Sequence, residues 1–314
     1  MSTSRAFAAL AAAVDAERVA AGPRAAWAPE AVEAIFFDEI AASTWSAGSR
    51  LSNDEVRTLV TRGLATGSRS LNDYVLVADY AAAATLVATA LPPSRRRPHV
   101  RLDEIVRLHA LAMRRGPAPG AGTWRTTTAP PFPSGMRPPP SWLVPRDTTA
   151  FVERFGLGPG SEHPALWAAR AHARLTRISP FANGTGRTTR LVTNLLLHRC
   201  DLPPFAVRPR DRDRYLAAMA HADAGDDVPL ASVLARSLLA ALQRLAAARV
   251  PDEGLAPLAV FATGARRASL YKAAQRGRLR TLRRGGALLT TPDWIARYER
   301  SRERTGASLG PRVS

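Results

Sequence analysis

From Pro29 to Ala248 apolar residues recur at helical spacing in one segment after another, and this repetition fixes the fold class as mainly α before any motif is considered. Residues 29–42, "PEAVEAIFFDEIAA", place Pro in a first turn, where its missing N–H is harmless. Residues 52–64, "SNDEVRTLVTRGL", open with a Ser/Asn start and early acids, an N-terminal signature. Residues 101–114, 163–178, 187–200, 213–223 and 229–248 repeat the pattern. The longest apolar run, "YVLVADYAAAATLVATAL", contains Asp79 and follows Asp73, so it reads as a buried helix rather than a membrane span.

Two regions break the helical rhythm. Residues 117–145 are crowded with Pro and Gly, and "TWRTTTA" within them predicts a short strand or hairpin. Residues 250–256 read as a linker. Beyond it the chain turns strongly basic, with thirteen Arg/Lys against five Asp/Glu from Pro251 onward. A short helix, a second helix that Ser269 could cap, two strands around Gly285–Gly286, and a helix started by Thr291 and Pro292 give the layout of a small winged helix-turn-helix unit at 257–305. A helical extension at 1–30 and a tail at 306–314 complete the organisation.

At 314 residues and 46 % apolar, the chain can bury one large core and a small one. Its formal charge of +18 is carried almost wholly by arginine, Lys272 being the single lysine. Such a surface favours nucleic acid, nucleotides or phosphorylated ligands, the alternative being a solvated basic face with no partner. Cys200 is the only cysteine, which excludes an intrachain disulfide and a thiol-rich metal site. The alanine-rich start is interrupted by Arg5, Asp15, Glu17 and Arg18, so no signal peptide is read there and a cytoplasmic location is expected.

The chemistry concentrates in "RISPFANGTGRTTR", residues 177–190. Asn183–Gly184 forms a turn, and Gly184 and Gly186 can both take positive φ around Thr185. A Gly-x-Gly turn entering a helix presents backbone N–H groups as an anion nest, reinforced by the helix dipole. Arg187 and Arg190 share a face of the first turn, an unfavourable place for cations unless an anion sits between.

This stretch resembles the signature of the Fic family, His-Pro-Phe-x-Asp/Glu-Gly-Asn-Gly-Arg-x-x-Arg, through Pro180, Phe181, Gly184, Gly186, Arg187 and Arg190. The resemblance covers roughly residues 31–245 and implies a helical bundle that transfers AMP from ATP to a protein hydroxyl, with residues 117–145 as a short β-hairpin flap for target docking. On that basis residues 31–249 form a Fic-like domain with an anion loop at 179–190.

The departures carry the functional argument. The motif histidine, the family's base, is Ser179 here, and loss of a positioned base costs about 10²–10⁴ in rate. The acidic residue that holds Mg²⁺ in the family is Asn183, a neutral oxygen that ligates Mg²⁺ weakly. The segment 31–48 resembles the family's inhibitory helix, with Ser43 and Gly48 aligned but Ala47 where the braking glutamate stands. His172, two turns before Ser179, is a candidate replacement base but reads more simply as structural; His163 reads as an exposed helix start, His198 and Cys200 as core or surface, and Asp201 as a helix end. No metal site is expected; ATP, another nucleotide or a phosphate ligand is the candidate occupant, with Mg²⁺ weakly held if present.

In the basic unit, "SLYKAAQRGRLRTLRR" resembles excisionase-like and MerR-like DNA-binding domains. Lys272, Gln275 and Arg276 would face a duplex, and Arg280, Arg283 and Arg284 would meet phosphates from the wing, the alternative being a basic protein-docking module. Trp294 and Tyr298, four apart, read as core of this unit. Three readings follow: a degenerate Fic-fold, DNA-linked regulator that binds a nucleotide or phosphate ligand; a nucleotidyl transferase with a non-standard base; and a binding partner or decoy of an active Fic protein.

Overall fold

A computed structural model describes residues 3–93, 98–116, 120–249, 254–264, 266–276, 278–284 and 287–307. Among the described residues, ten helices form the larger unit: α1 (Thr3–Ala21), α2 (Pro29–Trp45), α3 (Asn53–Arg62), α4 (Leu71–Ala88), α5 (Leu102–Ala112), α6 (Val144–Gly156), α7 (Pro164–Ile178), α8 (Thr185–His198), α9 (Arg212–Asp223) and α10 (Val228–Ala248). The sequence sets their boundaries locally. Ser52 accepts from the Glu55 amide while the Glu55 carboxylate accepts from the Ser52 amide, and Ser70 and Asp73 repeat this reciprocal box at α4. Gly63 closes α3 in the left-handed conformation at φ 67°.

α8 lies near the centre, with residues Thr188 to Leu197 all buried, and packs on α7, α5 and α4. Tyr80, Phe151, Phe181 and Phe205 are the bulkiest fully buried side chains among the described residues. α1 lies along α10. α10 is the one helix among the described residues that is long and apolar enough to cross a membrane, and most of it is buried in this bundle.

Residues 120–143 differ from the expected strand or hairpin: among the described residues they form no strand, only an extended path with a tight turn where the Phe132 N–H meets the Met136 carbonyl at 2.9 Å. Pro130, Pro131, Pro133 and Pro138 to Pro140 remove the donors a ladder needs. Side chains take the carbonyls instead, Ser141 reaching Thr126 and Arg125 reaching Thr127 and Pro139. Pro145 then sits in the first turn of α6.

The C-terminal unit runs β1 (Ala256–Pro257), α11 (Leu258–Phe261), α12 (Arg266–Gln275), β2 (Leu282–Arg284), β3 (Ala287–Thr290) and α13 (Pro292–Ala307). The antiparallel sheet has the order β1-β3-β2, and Leu282 opposite Leu289 sets the hairpin register. The Gly285–Gly286 turn lies outside the described residues, as do 250–253 of the expected linker and 308–314 of the tail. Leu258, Leu270, Leu279, Trp294, Ile295 and Tyr298 form a separate core that Ala247 of α10 joins. Trp294 and Tyr298 are thus core, and the Trp294 N–H donates to the Thr291 hydroxyl that opens α13. Ser269 does not cap α12, which begins at Arg266 and encloses it.

Candidate anion-binding site

The site is built where α7 ends and α8 begins. Pro180 disfavours the helical conformation at the residue before it, so α7 stops at Ser179. Ser179 takes the left-handed conformation, φ 45° and ψ 63°, and its N–H closes the helix on the Leu175 and Thr176 carbonyls. Its hydroxyl lies 3.4 Å from that of Thr185, and the residue is only 7 % exposed.

Gly184 caps α8 at φ 71°, and α8 starts at Thr185, two residues earlier than the first arginine. Gly186 does not take positive φ; it is helical, so the anticipated double-glycine nest reduces to one left-handed residue and the first helical turn. The amides of Thr185, Gly186 and Arg187 meet no protein acceptor among the described residues, and the first bonded amide is that of Thr188, 2.9 Å from the Gly184 carbonyl. Ala182, Asn183 and Gly186 are exposed, so this end of α8 opens to solvent.

The two arginines diverge. Arg187 donates to the Ala112 carbonyl at the end of α5, and burial, with Arg190 nearby, lowers its pKa. Arg190, 7 % exposed, donates to the Ser43 hydroxyl at 3.1 Å and the Ser43 carbonyl at 2.9 Å. The sequence expectation of a guanidinium pair jointly gripping an anion is corrected here: the Ala112 carbonyl of α5 holds Arg187, while Ser43 of α2 holds Arg190. Ala47 contributes no acid, but a different one is present. Glu39, one turn before Ser43, accepts from the Ser43 hydroxyl at 2.8 Å and the Tyr80 hydroxyl at 2.6 Å. Burial pushes its pKa up to about 6, against the lowering pull of those hydrogen bonds and of Arg190.

Two further residues tie the loop down. The Gly122 N–H donates to Nδ1 of His109, so Nε2 carries the proton and donates to the Asn183 carbonyl at 3.0 Å. The ring stacks on Phe181, and burial lowers its pKa to about 4, keeping it neutral. Buried Arg125 donates to the carbonyls of Ser179 at 2.7 Å and Pro139 at 2.5 Å, and its own N–H donates to the Pro180 carbonyl. A cleft of about 270 Å³ lies between these segments, lined by Trp124, Arg125 and Asn183 among others.

Among the described residues, no imidazole is hydrogen-bonded to Ser179. His172 donates from Nδ1 to the Thr193 hydroxyl, whose own proton goes to the Thr189 carbonyl, and accepts at Nε2 from the Tyr215 hydroxyl. Burial lowers its pKa to about 3, so it is a satisfied core histidine. His163 caps α7 by accepting from the Ala165 N–H, but it packs edge-on against Phe7 rather than standing exposed. His198 ends α8 beside Arg24, Cys200 lies just past it with its thiol pushed up to about 11 by burial, and Asp201 turns the chain at φ 54°. The donor set does not fit a protein-held Mg²⁺: Asn183 offers one neutral side-chain oxygen, and residues 179–190 contain no carboxylate.

Residues 99–197, which contain this site, match the model of the Fic/DOC family. That stretch is similar to a Fic/DOC domain. Among curated relatives, a protein adenylyltransferase Fic from Nematostella vectensis is 28 % identical over 207 residues, covering 66 % of this chain and 48 % of the relative. One from Culex quinquefasciatus is 26 % identical over 193 residues, covering 60 % and 37 %. The chain therefore spans about half or less of the length of these relatives. Among solved structures, Fic-1 from C. elegans superposes with a TM-score of 0.67 at 22 % identity, covering 79 % of this chain and 73 % of that one. A Fic family protein from Desulfovibrio desulfuricans gives 0.61 at 19 % identity, covering 91 % and 95 %. These likenesses establish the fold.

Beyond the helical bundle, Lys272, Gln275 and Arg276 are exposed at the end of α12. Arg280 does not extend into solvent as a wing residue would. Its side chain is 13 % exposed, lies 4.3 Å over the Trp294 ring and faces Glu17 of α1. Arg283 and Arg284 belong to β2, and their side chains lie outside the described residues.

Proposed function

We propose that this chain is a nucleotide- or phosphate-binding protein on a Fic fold that does not perform base-assisted AMP transfer, and that it acts as a regulator linked to DNA by its C-terminal unit. The observation that carries the reading is the open end of α8, where the amides of Thr185, Gly186 and Arg187 meet no protein acceptor among the described residues, an arrangement that favours an anion. The identity of the residue at the base position supports the second half. A buried serine hydroxyl cannot accept a proton at neutral pH, and His109 and His172 are neutral and already hydrogen-bonded on both nitrogens. For the C-terminal unit, support comes from its order of helices and hairpin and from the exposed Lys272, Gln275 and Arg276. Calorimetry with ATP, ADP and AMP, with and without Mg²⁺, tests the binding claim. Binding that depends little on Mg²⁺ and disappears in Arg187→Ala is expected; equal binding by the variant rejects the α8 site.

A transferase reading is favoured by the relatives that bear the name protein adenylyltransferase. It requires a base outside the motif or a proton taken by the substrate's own phosphate. Radiolabelled ATP incubated with the protein and a cell lysate separates the two readings, because label transferred to any protein refutes the non-catalytic one.

A further inference from the structure

A second basic cleft, of about 200 Å³, lies where the chain leaving α8 crosses α2 and α10. Its charged lining is Arg208, Arg210, Arg214, Arg236 and Arg244 against Asp38 and Asp211. Asp38 takes Arg244 at 2.5 Å and Arg208 at 3.5 Å, and its other oxygen accepts from the Asn53 amide. Asp211 is shared between Arg214 at 3.1 Å and Arg210 at 3.7 Å. Arg236 has no acidic partner among the described residues. Both carboxylates are therefore spent on four guanidiniums, and the lining keeps three positive charges in excess. A concave wall concentrates such a field. Arg212 and Arg214 also fall in the first turn of α9, the end of a helix where cations are disfavoured.

We propose that this cleft is a second anion site that takes a di- or triphosphate group, independent of the open end of α8. Guanidiniums bind phosphate oxygens in pairs, and two linked phosphates match the local excess of charge. Apart from Ser237, the rest of the lining is aliphatic, from Ile35, Val233 and Ala240 among others, and contains no aromatic ring to stack a base. Recognition is thus of phosphoryl oxygens, whether of a free polyphosphate, a nucleotide tail or a nucleic-acid backbone. Arg210 and Arg236 are exposed, so changing them leaves the core untouched.

Titration of the full chain with inorganic pyrophosphate and triphosphate tests the proposal. Arg187→Ala is expected to retain binding, while Arg236→Gln and Arg210→Gln each weaken it by about tenfold or more, the loss of one charge-assisted contact. Raising the salt weakens it further. Where both sites operate, the wild type binds two equivalents and each single-site variant one. Displacement of the probe by a short duplex assigns the site to backbone phosphates, and failure to displace assigns it to free polyphosphate. Absence of binding in Arg187→Ala at low salt, with an unchanged melting temperature, overturns the proposal, as does full-strength binding by the Arg210→Gln, Arg236→Gln double variant.

Discussion

Replacing Glu39 by Gln should stabilise the protein at neutral pH and leave it nearly unchanged in mild acid. The amide oxygen of Gln can still accept from Ser43 and Tyr80, so the substitution removes the charge and little else. Burial raises the Glu39 pKa from 4.5 to about 6 in the folded protein. The native state therefore holds this proton more tightly than the unfolded chain does. The resulting stabilisation is complete below about pH 4.5 and is lost as the pH rises through about 6. At ~1.4 kcal/mol per tenfold, the rise corresponds to about 2 kcal/mol. Urea unfolding of wild type and Glu39→Gln at about pH 4.5, 6 and 7.5 measures it. The variant's advantage should grow from near zero to about 2 kcal/mol across that range. Parallel pH profiles would refute the reasoning. So would a variant that loses ground as the pH rises, because attraction between ionised Glu39 and Arg190 would then outweigh the burial of the charge.

Arg125→Met leaves the carbonyls of Ser179, Thr127 and Pro139 without their donor, which should cost roughly 3 kcal/mol or more and speed proteolysis within residues 120–143. Gly184→Ala places a Cβ 2.5 Å from the Met113 sulfur at φ 71°, so a loss of about 1–3 kcal/mol should appear as a lower melting temperature. Lys272→Ala with Arg276→Ala should weaken binding of a random duplex in a gel shift without moving the melting temperature, since both side chains are exposed.

The helices were legible because their signals are local: periodic apolar residues, Ser52 paired with Glu55, and Pro at first turns. The exception is α6. The Pro-rich stretch before it masked its start, although Val144, Thr148, Phe151 and Phe155 keep helical spacing and are all buried. The turn before α8 was legible in Asn183–Gly184, but the start of the helix at Thr185 and the conformation of Gly186 were not, because a glycine can also sit in an ordinary helical turn. Ser179, Asn183 and Arg187 could be placed from the motif alone. Arg125, His109 and Glu39 could not, because their partners lie on other segments, far along the chain. His109 on an otherwise apolar helix face and the i, i+4 pair Glu39–Ser43 were the available hints. The divergence of Arg187 and Arg190 was equally hidden, since one turn of helix fixes where both side chains begin and the neighbouring helices decide where they end.

Arg125 holds residues 120–143 and the entry to α8 with one side chain. A homologous segment grafted into this position would have to bring its own guanidinium, or the carbonyl of Ser179 would face a dry interior with nothing to bind. The proline-rich segment and the motif are therefore a single transplantable part, and exchanging one without the other should unseat both.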